Sequence, residues 1–191
     1  MPTKNLPLPT SAAVEDAIAR FDQDARYGPA DRVLAPVFAG HPKNTRYEDV
    51  LLKVALLNAL YNTNIFAFWQ MATHILHMGL DDALERGEVA IVERIAVLTI
   101  GGKARRHYSF ATKYCSWHRP DEYPIYDSLV ERALWGYRKV HAFAEFRRQE
   151  MQGFVGFKGI VSAFRRHFGL DDFTFKELDK FLWFTGRELG R

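Results

Sequence analysis

The chain predicts an all-α fold, on three observations. Apolar residues recur at helical spacing in one segment after another, no two runs alternate as paired strands do, and Gly, Pro or Asn sits at the breaks. Residues 1–10, with Pro2, Pro7 and Pro9, read as a flexible or extended lead-in, and residues 11–191 as a single helical domain. Ser11 precedes AAVEDAIARFDQDAR, where Ala13, Ala17, Ile18 and Phe21 fall at helical spacing. The stretch from Gly28 to Thr45 carries Pro29, Pro36 and Pro42 and reads as loop with short turns. Tyr47 to Leu60 is long and strongly apolar, which predicts a buried helix. Asn62 and Asn64 interrupt it, and a second helix follows and ends at Gly79. A short helix runs from Asp81 to Arg86 and another from Glu88 to Leu98. Gly101 and Gly102 then form the turn of a helical hairpin, whose second arm runs from His107 to His118 and is stopped by Pro120. Ser128 to Tyr137 is a helix, with Ser128 and Glu131 in capping-box spacing. Gly153, Gly156 and Gly159 loosen the segment before IVSAFRRHFG, and KELDKFLWFTG forms a closing helix.

Composition narrows the classes of function. At 191 residues, with 48% hydrophobic and 14% aromatic content, the chain can bury a real core and is not of the disordered type. No run approaches the roughly 18 to 20 apolar residues that span a bilayer, and MPTKNLPLPTSAA has no long apolar segment of the secretory kind. A single cysteine, Cys115, permits no internal disulfide and fits a reducing cytoplasm. The net charge of +3 is small, but its distribution is uneven. Lys103, Arg105, Arg106, Lys113 and Arg119 follow one another with no acid between them, and residues 151–170 add Lys158, Arg165 and Arg166 on the same terms.

The candidate chemistry lies between residues 99 and 130. On a helical wheel Tyr108, Ala111, Tyr114, Cys115 and His118 form the core stripe, and Lys113 falls opposite. It is there either as a solvated lysine or as an amine facing a cleft, where desolvation would free it as a nucleophile. Asp127 sits just before a helix, as a cap or, if Ser128 caps instead, as a carboxylate open to other work. Asn62 and Asn64 either mark a turn or present amides to a duplex groove or an exposed base. Tyr108, Tyr114, Trp117 and Tyr123 interleave with the basic run, a pattern suited to nucleic acid, although a charge run can also be only a solvated face. His74 and His77 lack the further Cys or acid pair that would complete a metal set, Cys115 lies on the core stripe, and no Walker loop or dinucleotide fingerprint is present.

Taken in order, LLKVALLNALYNTNIFAFWQMATHIL, a GG-centred hairpin, FATKYC and PIYD resemble the helix-hairpin-helix DNA glycosylase superfamily, nearest its 8-oxoguanine glycosylase branch. The resemblance spans about residues 47–137. It implies a glycosylase-like helical fold in two lobes and double-stranded DNA, damaged or abasic, as the partner. It also implies base excision with abasic-site lyase activity through a lysine Schiff base, with no metal or organic cofactor. By position Lys113 matches the nucleophile and Asp127 its assisting aspartate, while Lys103, directly after the glycines, is the rival nucleophile. Asn62 and Asn64 fall at the turn that fills the gap left by a flipped base. Gly101 and Gly102, with Lys103, Arg105 and Arg106, fall at the phosphate-gripping hairpin, and Phe181 and Trp183 at the base-stacking position. The alternatives are a non-catalytic DNA-binding protein of the same fold and a protein-interaction module. Oligomeric state is left open by the sequence.

Overall fold

The computed structural model describes residues 6–190; the first five residues of the lead-in, Pro2 among them, and Arg191 lie outside the described residues. The described residues form ten α-helices and one two-stranded hairpin, so the chain is mostly helical. Leu6 to Thr10 has no regular secondary structure and lies against the helices: Leu6 packs against the core, Pro9 is buried, and the Tyr137 hydroxyl donates to the Pro7 carbonyl at 2.7 Å.

Helix α1 (Ser11–Gln23) is capped by Thr10, whose hydroxyl accepts from the Ala13 amide, and it buries Val14, Ala17 and Phe21. Helix α2 (Tyr27–Gly40) occupies the stretch expected to be loop. Pro29 stands in its first turn, where the backbone N–H has no helical partner to lose. Pro36 lies inside the helix and costs about 3 kcal/mol. Ala30, Leu34 and Phe38, four residues apart, bury one stripe; two large apolar side chains at roughly 1.5–3 kcal/mol each outweigh that proline. Helix α3 (Tyr47–Tyr61) is buried at Val50, Val54 and Leu57 as its apolar run predicts. It also buries Lys53 completely, with Nζ donating to the carbonyls of His41 and Lys43 and to Asn44 Oδ1.

Helices α4 (Phe68–Met78), α5 (Asp81–Glu85) and α6 (Ala90–Ala96) follow. The expected helical turn at the glycine pair is instead a β-hairpin, β1 (Val97–Ile100) paired antiparallel with β2 (Lys103–Arg106), inserted between α6 and helix α7 (Tyr108–His118). Ile100 pairs with Lys103, leaving a two-residue loop whose Gly101 and Gly102 have φ of 55° and 74°. Positive φ at both central residues is the requirement of a type I′ turn, and Val97, Thr99 and Ile100 favour strand over helix.

Helix α8 (Ser128–His141) runs one turn past Tyr137. Its cap is Asp127, and the Ser128–Glu131 box does not form; the Glu131 carboxylate instead meets the Tyr126 hydroxyl, Arg148 and Gln152. Helix α9 (Phe154–His167) and helix α10 (Phe175–Glu188) complete the fold, the latter with a Thr174–Glu177 capping box. Helix α10 packs chiefly on α8 and α1. Gly186 makes that approach possible, since a Cβ there would lie 2.0 Å from the Leu129 carbonyl oxygen. The consequence is that the end of the chain closes over the start of α8, where Asp127 sits.

Candidate active site

Segments far apart in sequence meet around a cavity of about 470 Å³. Phe21 and Tyr27 come from the start of the chain, Tyr61 and Asn62 from the end of α3, and Ser109 and Lys113 from α7. Asp127 opens α8, and Asp179 and Trp183 lie on α10. The two residues taken from the sequence as chemistry, Lys113 and Asp127, therefore share one cavity.

Lys113 is not the solvated lysine its position off the core stripe allows. It is 5% exposed, because α7 has the core on one side and the cavity wall on the other, so every residue from Phe110 to Ser116 is buried. Its Nζ donates to Ser109 Oγ at 2.7 Å, one turn back, and stands 5.8 Å from the Tyr61 ring centroid. Burial lowers its pKa, against the opposing charges of Asp127 and Asp179. Asp127 is divided between two duties. Its Oδ1 accepts from the Leu129 and Val130 amides, at 2.8 and 2.9 Å, as the cap of α8, which leaves Oδ2 for the cavity.

Asp179 was not among the sequence candidates. Part of its side chain opens on the cavity, yet Oδ1 is sealed from water without a hydrogen-bond partner. Burial pushes its pKa from 3.8 up to about 8, with the Asp127 charge adding to the rise and Lys113 and Lys176 opposing it. A carboxyl and an amine are thus both held toward their neutral forms in one space. The signal was legible in KELDKFLW: Asp179 and Trp183 are four apart and so share a helix face. Below the cavity Tyr61 donates to Asp31 Oδ1 at 2.7 Å and Lys176 to Asp31 Oδ2 at 3.1 Å, while Lys180 pairs with Asp22 at 2.6 Å. Those two lysines are paired with carboxylates, whereas Lys113 Nζ bonds the Ser109 hydroxyl.

Of the two proposed stacking rings, Trp183 lines the cavity, 4.7 Å from Tyr27 between centroids. Phe181 does not. It is 3% exposed and packs on Tyr137 in the core, because it lies two residues from Trp183 on the opposite side of α10. Asn62 and Asn64 form the turn after α3, both with left-handed φ; Asn62 lines the cavity and Asn64 does not. Lys103 and Arg105 are exposed on β2, with Gly101 and Gly102 at the hairpin tip. Lys103, the rival nucleophile, does not line the cavity. Arg106 is committed elsewhere, to Glu93 at 2.8 Å and the Gln152 carbonyl at 2.6 Å. In the second basic segment Lys158 pairs with Glu122 and Arg165 with Asp171, which reduces its attraction for anions.

A separate depression of about 500 Å³ is lined by Phe38, Trp117, His118 and Lys43. Its His118 Nε2 lies 3.4 Å from buried Lys53 Nζ, and burial holds the ring down to about 3, so it stays neutral beside the lysine. It offers no nucleophile beside a carboxyl of the Asp179 kind. No helix among the described residues is long and apolar enough to cross a membrane.

The family model HI_0787_N, described as an N-terminal domain, matches residues 13–122, more than half of the chain. The chain belongs to the HI_0787_N family. An uncharacterised protein of Haemophilus influenzae is 42% identical over 147 residues, which cover 76% of this chain and 70% of that one. No solved structure matches the chain. The HI_0787_N segment contains Lys113, both asparagines and the hairpin, whereas Asp127, Asp179 and Trp183 lie beyond it.

Proposed function

We propose that this chain is a base-excision DNA glycosylase with associated abasic-site lyase activity, acting on an oxidised purine such as 8-oxoguanine within a glycosylase-like helical fold. The observation that carries this reading is the convergence of Lys113, Asp127 and Asp179 on one aromatic-walled cavity. A cavity of about 470 Å³ with Tyr27 and Trp183 in its wall suits a flat base turned out of the duplex. The exposed cations Lys103 and Arg105 on the hairpin suit the phosphates outside it.

The chemistry follows from the state of each group. Burial keeps Lys113 toward the free amine, and that amine attacks C1′ of the deoxyribose. The bond from C1′ to the base breaks, and the base leaves with the electron pair. Asp179, held in its acid form, supplies the proton the base needs. The free oxygen of Asp127 faces the positive charge that builds on the sugar. The attached nitrogen then gives a proton to the Asp179 carboxylate, and Asp179 passes it to O4′ as the nitrogen lone pair breaks the C1′–O4′ bond and the ring opens to a protonated Schiff base. The Asp179 carboxylate left by ring opening takes the C2′ proton, the electron pair moves into the iminium, and the 3′ phosphate leaves with its own electron pair as the β-elimination completes.

Borohydride trapping tests this on duplexes bearing 8-oxoguanine or an abasic site, beside an undamaged control. A damage-specific covalent adduct is expected, absent in Lys113→Gln, with the duplex affinity of that variant within a few fold of wild type. An adduct that survives Lys113→Gln and is lost in Lys103→Gln would move the nucleophile to the hairpin. Salt-sensitive duplex binding with no adduct from wild type would make this a non-catalytic DNA-binding protein. Failure to bind duplex at all would favour a protein-interaction module.

A further inference from the structure

We propose that Arg26 and Arg187 form a phosphodiester site at the mouth of the cavity, where their guanidiniums hold a phosphate of the nucleotide drawn inside. The inference rests on the DNA reading above and adds to it a contact made by the two ends of the chain, apart from the hairpin. Arg26 is exposed and lines the cavity, so it stands at the mouth, directly before Tyr27. Arg187, also exposed, lies four residues past Trp183 and so on the same face of α10. Each guanidinium lies on one of the cavity's rings, Arg26 at 5.5 Å from the Tyr27 centroid and Arg187 at 5.3 Å from that of Trp183. The two rings meet edge to face at 4.7 Å, so one aromatic wall gathers two cations. Neither guanidinium has a hydrogen bond or an ion pair among the described residues. Arg20, on the neighbouring Phe184 ring, differs in being paired with Asp16 and Glu188.

One acid offsets part of this charge. Asp24 Oδ1 accepts from the Tyr27 and Arg26 amides, at 3.0 and 2.9 Å, and these bonds, with smaller help from the Arg187 and Arg26 charges, hold its carboxyl below the usual range. The same carboxylate feels both guanidiniums, which places the two arginines in one neighbourhood. It is spent on the turn that positions Arg26, and one positive charge is left over. Like charges gathered without an anion repel, and a guanidinium lying on a ring keeps its edge donors free for the fork geometry of a phosphate. The occupant follows from what the cavity takes. A base that enters the aromatic-walled space brings the phosphates of its own sugar to the mouth, and they stay there because burying that charge would cost too much. Lys103 and Arg105 do not line this cavity, so the arginine pair meets a different part of the strand.

The test measures binding to a duplex carrying a tetrahydrofuran abasic analogue, with a neutral methylphosphonate replacing one phosphate at a time. The replaced phosphate is either of the two on the analogue or, as a control, a distant one. At one of the analogue's phosphates wild type should lose about tenfold in affinity, the scale of one charge-assisted hydrogen bond. The double variant Arg26→Gln, Arg187→Gln should bind the unmodified duplex more weakly and lose less than about twofold to that methylphosphonate, because the contact is already gone. Lys103→Gln, which removes a cation elsewhere, should keep the full penalty. Because both arginines are exposed, thermal unfolding of the double variant should stay close to wild type. A double variant that keeps the wild-type penalty would overturn the site and leave the DNA reading standing. So would a wild type that binds duplex in a salt-sensitive way yet is indifferent to methylphosphonate at both of the analogue's phosphates. Inorganic phosphate bound by wild type and not by the double variant, with no methylphosphonate penalty, would mark a free-anion site and overturn the strand contact. Absence of duplex binding by wild type would overturn both readings.

Discussion

Replacing Asp179 with Asn removes a carboxyl that the folded protein holds in its acid form across neutral pH. In the unfolded chain this group releases its proton near 3.8, and in the fold burial delays release to about 8. Between those values the folded state binds more protons than the unfolded one, so wild-type stability falls as pH rises through the window. Each pH unit withdraws up to about 1.4 kcal/mol, an upper bound of about 4 kcal/mol at pH 7. Part of the side chain opens on the cavity, which lowers the figure to about 2–4 kcal/mol after relaxation. Asn keeps the shape and has no proton to hold. Lys113, Lys176, Asp127 and Asp31, which face Asp179, remain in both proteins, so the difference between them isolates the one group. Urea unfolding of wild type and Asp179→Asn from pH 4 to 8 measures it. The variant should gain on wild type with rising pH and level off near pH 8. A difference that does not change with pH, or a wild type more stable at pH 7, would mean that Asp179 is ionised in the fold and paired with Lys113. The proton donor of the proposed mechanism would then be lost.

Asp127→Asn should preserve the cap of α8, since Asn accepts the same two amide bonds, whereas Asp127→Ala should lose about 1 kcal/mol in chemical unfolding; both should lose the trapped adduct. Lys103→Gln and Arg105→Gln should each lower the slope of log affinity against log salt by about 1, and Arg106→Gln should lower it less because Glu93 already neutralises that charge. Lys53→Ala should cost about 2–4 kcal/mol in urea unfolding, because it empties a fully buried site and removes the donor from two part-buried backbone carbonyls, while Asn44 Oδ1 keeps only the Tyr114 hydroxyl.

What the sequence disclosed depended on how locally each feature is encoded. The apolar run of α3 and the boundaries of α7 were readable because a long run and a proline stop act within their own segments. Helix α2 was hidden by its prolines; its stripe at residues 30, 34 and 38 earns its burial only against other helices. The hairpin was missed because β2 is exposed throughout and β1 buries only Leu98, so neither strand shows the two-residue alternation that marks a half-buried sheet. Lys113 and Asp127 were found through local motifs, but their burial and shared cavity were not visible. Asp179 was passed over because its surroundings come from α7 and α8, many residues away. Phe181 and Trp183 were grouped by proximity in sequence, and the turn of the helix separates them.

The docking of α10 onto α1 and α8 also sets when the cavity comes into being. Arg20 meets Glu188 and Asp22 meets Lys180, contacts between the two ends of the chain. A nascent chain that has emerged as far as α9 already carries Lys113 and Asp127, but it has neither the acid nor the tryptophan that complete the site. Long-range closure of this kind is a late event in folding, because the loop entropy is lost before the contacts that reward it form. The wall that α10 contributes to the cavity therefore depends on this docking, and a change that loosens the α10 contacts with α1 and α8 opens the cavity itself.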